Sequence, residues 1–290
     1  MRSLLFVPAD SEKKLEKGLG SEADCLLIDL EDSVALPAKP QAREIALAYL
    51  RDARLRETRP QLYVRVNALD SGLTEADLEI VMQGAPDGIL LPKSLSGAHV
   101  QQLGGKLAVK EAENNLYDGS TKIIAFATET AGSIFKLGSF AGSSPRLAGL
   151  TWGAEDLATD LGVESNRLPD GSYTYPFALA RSLTLFAAHA AEVLAIETVY
   201  ANFRDLEGFR FDCEAGRRDG FVARMAIHPN QVAIINEVFT PSPEAIARAE
   251  AIVAAFAADP DAGVTSLDGQ MLDRPHLAKA RKLLARAPRR

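Results

Sequence analysis

The chain has 290 residues, of which 47% are hydrophobic, and it carries a net charge of −7 with a pI near 5.3. This length suits one large α/β domain or two small ones, and the acidic balance without a long basic run argues against nucleic-acid binding. No apolar run approaches a membrane span and the first residues show no signal-peptide pattern, which predicts a soluble cytoplasmic protein. The two cysteines, Cys25 and Cys213, give neither a disulfide framework nor metal-ligand spacing.

Eight short apolar runs predict β-strands along the chain. They lie at 3–7, 25–30, 62–66, 88–92, 122–127, 146–152, 195–200 and 221–227. The stretches between them carry capping signals and apolar residues at helical spacing, which predicts helices. Eight strands alternating with helices over about 240 residues predict an α/β fold of the (β/α)8 TIM-barrel type. An open doubly wound sheet is the alternative, and it is weakened because no G-x-G-x-x-G follows the first strand.

The residues after the eighth strand predict a separate extension. "SPEAIARAEAIVAAFAAD" reads as one helix, and "GVTSLDGQMLDRPHLAKARKLLARA" reads as a Gly/Ser/Asp-rich turn followed by a second helix. We therefore predict a TIM-barrel catalytic domain over residues 1–240 and a C-terminal helical extension over residues 241–290.

Ionisable or polar residues follow six of the predicted strands. In a barrel these strand ends share one face, where enzymes of this fold build their sites. Each side chain alone is explained as well by helix capping or a surface charge, but six such strand ends together predict a functional site. Its candidate residues are Asp29, Glu31, Asp32, Arg65, Asn67, Lys93, Glu129, Gly153, Glu155, Asp156 and His228.

Glu129 and Asp156 are candidate metal ligands. They lie about one βα unit apart, so their carboxylates are expected on neighbouring strands. A pair of carboxylates without a nearby histidine or cysteine suits Mg²⁺, which completes its octahedron with water and substrate oxygens. Two unrelated surface acids are the alternative. Zinc is disfavoured because the four histidines are scattered.

Arg65 is a candidate anion-binding residue, since a guanidinium can contact a carboxylate or enolate oxygen through two hydrogen bonds. The alternative is a structural ion pair with Asp29 or Glu31, and the two roles are compatible. For His228, which precedes a proline at a strand end, a structural hydrogen bond is at least as well founded as catalysis.

The order and spacing of several motifs identify a family. "LLFVPAD", "LLIDLEDSV", "VRVN", "LPK", "ATETAGSI", "WGAEDLATDLG", "AIHPNQV" and "DGQMLDRPHLAKA" together resemble the citrate lyase beta-subunit-like proteins, within the Mg²⁺-dependent aldolase and lyase barrels. The resemblance covers essentially the whole chain. It implies a TIM barrel with a C-terminal helical extension, Mg²⁺ (or Mn²⁺ in its place) held by Glu129 and Asp156, and substrate contact by Arg65.

The resemblance also implies roles for residues around that core. Asp29, Glu31 and Asp32 would support Arg65 and the waters of the metal. Asp273 of the "DGQMLDRP" motif would reach the active site of an adjacent subunit in a trimer or hexamer and act there as acid/base. Asp32 stands where the related 4-hydroxy-2-oxo-acid aldolases usually have histidine, which disfavours simple aldolase chemistry.

These observations predict Mg²⁺-dependent carbon–carbon cleavage, or the reverse reaction, on a thioester such as citryl-, malyl- or citramalyl-CoA. The products would be a keto acid and acetyl-CoA, with coenzyme A as part of the substrate. Arg65 would stabilise the thioester enolate. The backbone N–H groups of Gly153, Ala154 and Glu155 would hold the substrate carboxylate, and Asn67 and Lys93 would support the site.

Three alternatives differ in class from a free-standing thioester lyase. The first is an aldolase acting on free 2-oxo acids. The second is the beta subunit of a multi-subunit citrate lyase, whose substrate is carried on an acyl-carrier protein. The third is a non-enzymatic scaffold on a degenerate barrel, which would not need Arg65, Glu129 and Asp156 together.

Overall fold

The computed structural model of this chain describes residues 1–259 and 262–287. The chain divides into two compact units, Met1–Asn236 and Glu237–Arg290. The first contains a closed barrel of eight parallel strands in chain order, so the predicted TIM barrel is confirmed. Its strands are β1 (Ser3–Pro8), β2 (Cys25–Asp29), β3 (Gln61–Arg65), β4 (Gly88–Leu91), β5 (Lys122–Thr128), β6 (Leu147–Trp152), β7 (Leu194–Glu197) and β8 (Ala223–Ala226).

Helices follow the strands as the alternating pattern predicts. They are α1 (Glu12–Leu19), α2 (Lys39–Arg54), α3 (Thr74–Val81), α4 (Gly97–Glu113), α5 (Ala131–Ile134), α6 (Ala154–Leu161), α7 (Tyr175–Ala190), α8 (Leu206–Asp219) and α9 (Pro229–Phe239). No helix among the described residues is both long and apolar enough to cross a bilayer.

Alternation along the strands explains why a buried strand ends in carboxylates. Every second strand residue faces the interior of the barrel, and Leu27 of β2 and Tyr63 of β3 belong to the apolar cluster there. The next residues with the same orientation are Asp29 and Arg65, which are register partners at the carboxyl ends of their strands. The apolar core therefore stops one layer below the mouth, and polar side chains occupy the layer above.

A β-bulge interrupts this alternation in β5. Phe126 pairs with Thr151 of β6 and Thr128 pairs with Trp152, so Ala127 is an additional residue without a register partner. A bulge of this kind re-aims the side chains that follow it. Thr128 accordingly points out of the barrel, where its hydroxyl lies 2.9 Å from that of Thr184 in α7.

The second unit contains the two predicted helices and a hairpin between them. Between α10 (Pro243–Ala258) and α11 (Arg274–Leu284) lies an antiparallel hairpin of β9 (Val264–Leu267) and β10 (Gln270–Asp273). Its turn is Asp268–Gly269, with both residues at positive φ, as a two-residue hairpin requires. The predicted C-terminal helical extension is confirmed, and the predicted Gly/Ser/Asp-rich turn between its helices forms this hairpin.

Candidate active site

A cavity of about 340 Å³ lies at the carboxyl ends of the barrel strands. Eight of the residues predicted from sequence line it: Asp29, Asp32, Arg65, Glu129, Gly153, Ala154, Glu155 and Asp156. The predicted residues Glu31 and Lys93 contact these through their side chains. The structure thus brings most of the predicted strand-end residues into one site.

Glu129 enters this cavity because of the bulge in β5. With Thr128 turned outward, Glu129 faces the mouth, next to Gly153 at the end of β6. A Cβ atom on Gly153 would lie 2.6 Å from Cγ of Glu129, so a side chain at that position would displace the carboxylate. Glycine at 153 is therefore required by the close approach of Glu129.

Glu129 and Asp156 form a pair of carboxylates suited to a cation. Glu129 is only 3% exposed, and its pKa is raised well above the usual range by burial and by the nearby charge of Asp156. Asp156 lies in the first turn of α6 and is one-third exposed. A divalent cation would relieve the repulsion between the two groups, which fits Mg²⁺ with its preference for one or two protein carboxylates.

Neighbouring side chains do not add further ligands. No cluster of three or more His, Cys, Asp or Glu residues arranged to hold a metal occurs within residues 1–259 and 262–287. A site limited to Glu129 and Asp156 leaves most of the coordination octahedron to water and substrate, as Mg²⁺ usually requires.

Arg65 is held rigidly beside this pair. Its Nε and Nη2 donate to the two oxygens of Asp29 at 2.7 and 2.6 Å, and its Nη1 lies 2.8 Å from Oε2 of Glu31. The guanidinium also lies over the ring of Phe6, 4.9 Å from its centroid. Burial raises the pKa of Asp29, but the hydrogen bonds and charge of Arg65, with further hydrogen bonds, outweigh it and keep that pKa low. The alternative of a structural ion pair is therefore present in the geometry, and it also fixes the guanidinium at the cavity.

Lys93 connects the metal-ligand candidates to the acidic end of β2. Its backbone N–H donates to Oε2 of Glu129, and its φ of +49° lies in the left-handed region that non-glycine residues seldom adopt. Its Nζ lies 2.6 Å from Glu31, 3.1 Å from Asp32 and 3.8 Å from Asp156. Asp32 thus contacts Lys93 rather than Arg65, and the expectation that it supports the waters of the metal stays a prediction.

The first turn of α6 supplies backbone donors to the same cavity. Gly153 is the N-cap of this helix, and its N–H donates to the carbonyl of Thr128 at 3.3 Å, so the donors of the first turn begin with Ala154 and Glu155. The first N–H groups of a helix have no intrahelical acceptor and favour an anion. The side chain of Glu155 itself accepts a hydrogen bond from Asn166 at 3.0 Å, so the backbone rather than this carboxylate suits an anionic ligand.

Two other predicted residues, Asn67 and His228, make contacts that stabilise the fold. Asn67 is buried and donates from Nδ2 to Asp77 at 2.7 Å and to the carbonyl of Leu30 at 3.1 Å, which ties the ends of β2 and β3 together. His228 stacks on Phe203 with ring centroids 5.0 Å apart. Neither residue lines the cavity, and for His228 the geometry favours the structural interpretation.

Asp273 lies in the second unit, as the last residue of β10 and the N-cap of α11. Its carboxylate accepts from the backbone N–H of His276, while the ring of His276 contacts both the carboxylate and the backbone N–H of Asp273. This capping box lowers the pKa of Asp273, chiefly through the His276 side chain. The side chain is 39% exposed. Asp273 thus has a fixed position at the start of a helix.

Sequence reasoning missed the neutral part of the cavity. Thr198 and Val199 follow β7, and Phe6, Phe126 and Met225 form the inner wall. The search for ionisable groups at strand ends passed over these side chains. For all of them except Val199, the inward orientation follows from strand alternation, which would have been the signal for finding them.

Comparisons with known proteins agree with this geometry. The (3S)-malyl-CoA thioesterase of Cereibacter sphaeroides is 36% identical over 292 residues, which cover 99% of this chain and 94% of that protein. The mitochondrial citramalyl-CoA lyase of Rattus norvegicus is 32% identical over 299 residues, covering 99% of this chain and 86% of that protein.

A solved structure extends the similarity to three dimensions. The CitE protein of Mycobacterium tuberculosis, in complex with magnesium, acetoacetate and coenzyme A, matches with a TM-score of 0.77 and 33% identity, over 99% of this chain and 97% of that one. The family model for HpcH/HpaI aldolase/citrate lyase matches residues 2–229. This chain therefore belongs to the HpcH/HpaI aldolase/citrate lyase family.

Proposed function

We propose that this chain is a Mg²⁺-dependent carbon–carbon lyase acting on a 3-hydroxyacyl thioester of coenzyme A, such as citryl-, malyl- or citramalyl-CoA. The reaction releases a 2-oxo acid and acetyl-CoA, or joins them in reverse. The observation that carries this proposal is the convergence of the Glu129–Asp156 pair and the Arg65 guanidinium on one cavity. An anion-stabilising group beside a cation site is what cleavage to an enolate requires.

Glu129 and Asp156 hold the metal in this proposal. Bound Mg²⁺ would supply a Lewis acid for the hydroxyl or keto oxygen and the neighbouring carboxylate of the substrate. The N–H groups at the start of α6 hold that carboxylate. Lys93 positions Glu129 through its backbone N–H.

Arg65 stabilises the charge that develops during cleavage. A base removes the proton of the 3-hydroxyl group, the carbon–carbon bond breaks, and its electron pair moves onto the thioester to form an enolate. The guanidinium is already oriented by Asp29, Glu31 and Phe6. It therefore needs no reorganisation when the enolate charge appears, which is the condition for strong electrostatic catalysis.

Asp273 is the proposed acid/base and acts in a neighbouring subunit of a homo-oligomer, a trimer or hexamer. Asp29, Glu31 and Asp32 are engaged with Arg65 or Lys93, and Glu129 and Asp156 are assigned to the metal. Asp273 is exposed, and its lowered pKa keeps it deprotonated as a base at neutral pH. Residues 1–240 would then form the catalytic domain, and residues 241–290 the extension that contacts the next subunit.

The central experiment incubates the purified chain with citryl-, malyl- and citramalyl-CoA, with Mg²⁺ or with EDTA, and follows thioester loss and 2-oxo acid release. We expect Mg²⁺-dependent cleavage of at least one ester. Cleavage of free coenzyme A esters by the isolated chain would argue against an exclusive role on a carrier protein. Condensation that proceeds without acetyl-CoA would instead identify a free 2-oxo-acid aldolase, and inactivity on all three esters would contradict the proposal.

Complementation tests the role of Asp273. Asp273→Asn and Glu129→Gln should each be nearly inactive alone. After dissociation and reassembly together, they should recover part of the activity, because some sites then combine an intact barrel with an intact Asp273. Hetero-oligomers that form but remain inactive would exclude action in trans.

A further inference from the structure

Thr198 is an unused polar group in the cavity. Ile196 of β7 belongs to the cluster inside the barrel, and Thr198 is the next residue with the same orientation. Thr198 lines the cavity and is fully buried, and its Oγ1 has no hydrogen-bond partner in the structure. Burying a hydroxyl without a partner is unfavourable, so a ligand oxygen that pairs with it gains affinity.

The surroundings of this hydroxyl are apolar. Phe126 and Met225 belong to the barrel core, with Phe6 and Val199 packed against it, and all four side chains line the cavity. They form its floor below the polar layer at the mouth. A small apolar group placed against this floor would bury apolar surface without displacing any hydrogen bond.

Charge sets a further limit on what fits. Among the described residues that line the cavity, Arg65 is the only cation, and it already pairs with Asp29 and Glu31. Most of the other polar side chains that line the cavity are carboxylates. A second carboxylate on the substrate, directed to the floor, would be desolvated with no cation to receive it, which is strongly unfavourable.

We infer that the cavity contains a substituent subsite, formed by Thr198 and by the floor of Phe6, Phe126, Val199 and Met225. This subsite receives the variable substituent at C2 of the 2-oxo acid, that is, the group other than the carboxylate and the oxo oxygen. This inference rests on the proposed function and selects among its substrates. The subsite takes methyl in preference to hydrogen and rejects carboxymethyl, while the Thr198 hydroxyl donates to a carboxylate oxygen of the 2-oxo acid. The preferred substrate is then the citramalyl thioester, which yields pyruvate.

Two measurements test the subsite. The first compares kcat/KM for the three thioesters with Mg²⁺ present. One methyl group in an apolar pocket is worth about tenfold or more, so citramalyl-CoA should exceed malyl-CoA by about that factor, with citryl-CoA lowest. The second measures binding of pyruvate, glyoxylate and oxaloacetate to the Mg²⁺-loaded protein by calorimetry, without turnover, and should place pyruvate first.

Thr198→Val keeps the shape of the side chain and removes the hydroxyl. We expect pyruvate affinity to fall about tenfold or more, as for a lost hydrogen bond to a charged group. Thr121→Val, a fully buried threonine outside the cavity, is the matched control and should bind pyruvate as the wild type does. Thermal melts verify that both variants are folded.

The outcomes separate this inference from the proposed function. Tighter binding of oxaloacetate than of pyruvate, or equal pyruvate affinity for Thr198→Val and wild type, would overturn the subsite even if a thioester is cleaved. Pyruvate binding that depends on Thr198, together with inactivity on all three thioesters, would support the subsite and refute the lyase function.

Discussion

At the amino end of the barrel, carboxylates just before the strands or in the adjoining helix are each paired with an arginine. The pairs are Arg2–Asp24, Arg59–Asp87 and Arg146–Glu111. Glu111 is the most complete case, because it accepts from both Nη atoms of Arg146 and from the backbone N–H groups of Gly119 and Thr121. Burial opposes ionisation there, but these donors outweigh it and lower the pKa of Glu111 to about 2.

At the carboxyl end, the balance is reversed, because five of the described carboxylates at the cavity share two cations. The carboxylates are Asp29, Glu31, Asp32, Glu129 and Asp156, and the cations are Arg65 and Lys93. Burial raises the pKa values of Glu31 and Glu129 despite the nearby cations, and Asp156 raises that of Glu129 further. Arginine–carboxylate pairs at the amino end stabilise the fold, whereas the surplus negative charge at the carboxyl end suits a cation.

The largest expected effect is on stability at the amino end. Glu111→Gln leaves the buried Arg146 with only the exposed Asp118 as a charged partner, and breaking a buried pair costs up to about 3–5 kcal/mol. Denaturant unfolding should show this loss, while kcat of the folded variant should equal that of the wild type. A loss below about 1 kcal/mol would remove the distinction between the two ends.

Acid pH tests the same residue. Because the folded-state pKa of Glu111 lies below its ordinary value of 4.5, its contribution is present above pH 4.5 and is lost as pH falls towards 2. The melting temperature of Glu111→Gln should therefore fall less steeply over this interval than that of the wild type. Parallel curves would show that other carboxylates control acid unfolding.

Glu129→Gln should act in the opposite way at the carboxyl end. It removes a buried charge without a dedicated partner, so the metal-free protein should be as stable as the wild type or more so. Mg²⁺ affinity should fall by at least about 100-fold, more than the loss typical of an outer-shell partner. Calorimetry and thermal melts test both effects, with the exposed Glu113→Gln as control.

Arg65→Lys preserves the charge count but removes the planar fork. We expect kcat to fall by about 100-fold, as when one preorganised donor to an oxyanion is lost, with a smaller change in KM. Arg59→Lys, the same exchange at the amino end, should leave kcat unaltered. An effect confined to KM would identify Arg65 as a ground-state anchor.

Gly153→Ala probes the close approach that positions Glu129. The added Cβ would force the Glu129 carboxylate to move, and Mg²⁺ affinity should fall by about tenfold, as when ligand orientation is disturbed. Gly132→Ala, where no atom lies within 4 Å of the added Cβ, is the control. Equal Mg²⁺ affinity in both variants would show that Glu129 does not need this space.

The smallest expected effect isolates the backbone of Lys93. Lys93→Ala and Lys93→Gly both remove the ammonium group, but only glycine adopts φ of +49° without strain. The glycine variant should be the more stable by about 1 kcal/mol, measured by denaturant unfolding. Equal stabilities would mean that the left-handed conformation carries no measurable cost.

The fold, the family and the class of Mg²⁺-dependent lyase were predictable because they depend on patterns repeated along the chain. A prediction that rests on eight apolar runs and on several motifs in order does not change when one position is misjudged. The barrel and the family are both confirmed. The roles of individual site residues stay predictions. The association of Arg65 with Asp29 also followed from the strand ends, since both terminate neighbouring strands.

Contacts set by local backbone geometry were not predictable in this way. Asp32 pairs with Lys93, which has a left-handed backbone conformation. Lysine seldom adopts this conformation, so the sequence does not indicate it. Thr198 was missed because it carries no charge. The hairpin before Asp273 did have a signal, the Asp-Gly pair, and was misread as a plain turn.

Because β5 contains an additional residue, the candidate site depends on the length of this strand as well as on the identity of its residues. Inserting one residue between Ala127 and Thr128 would place the new residue opposite Trp152 of β6 and exchange the directions of the two residues after it, so that Glu129 would face the helices and Thr128 the cavity. Every chemical group would still be encoded, yet the barrel would have lost a proposed cation ligand. Insertions and deletions in this strand therefore need separate attention when related sequences are compared. A conserved glutamate that is displaced by one position along the strand would no longer face the cavity.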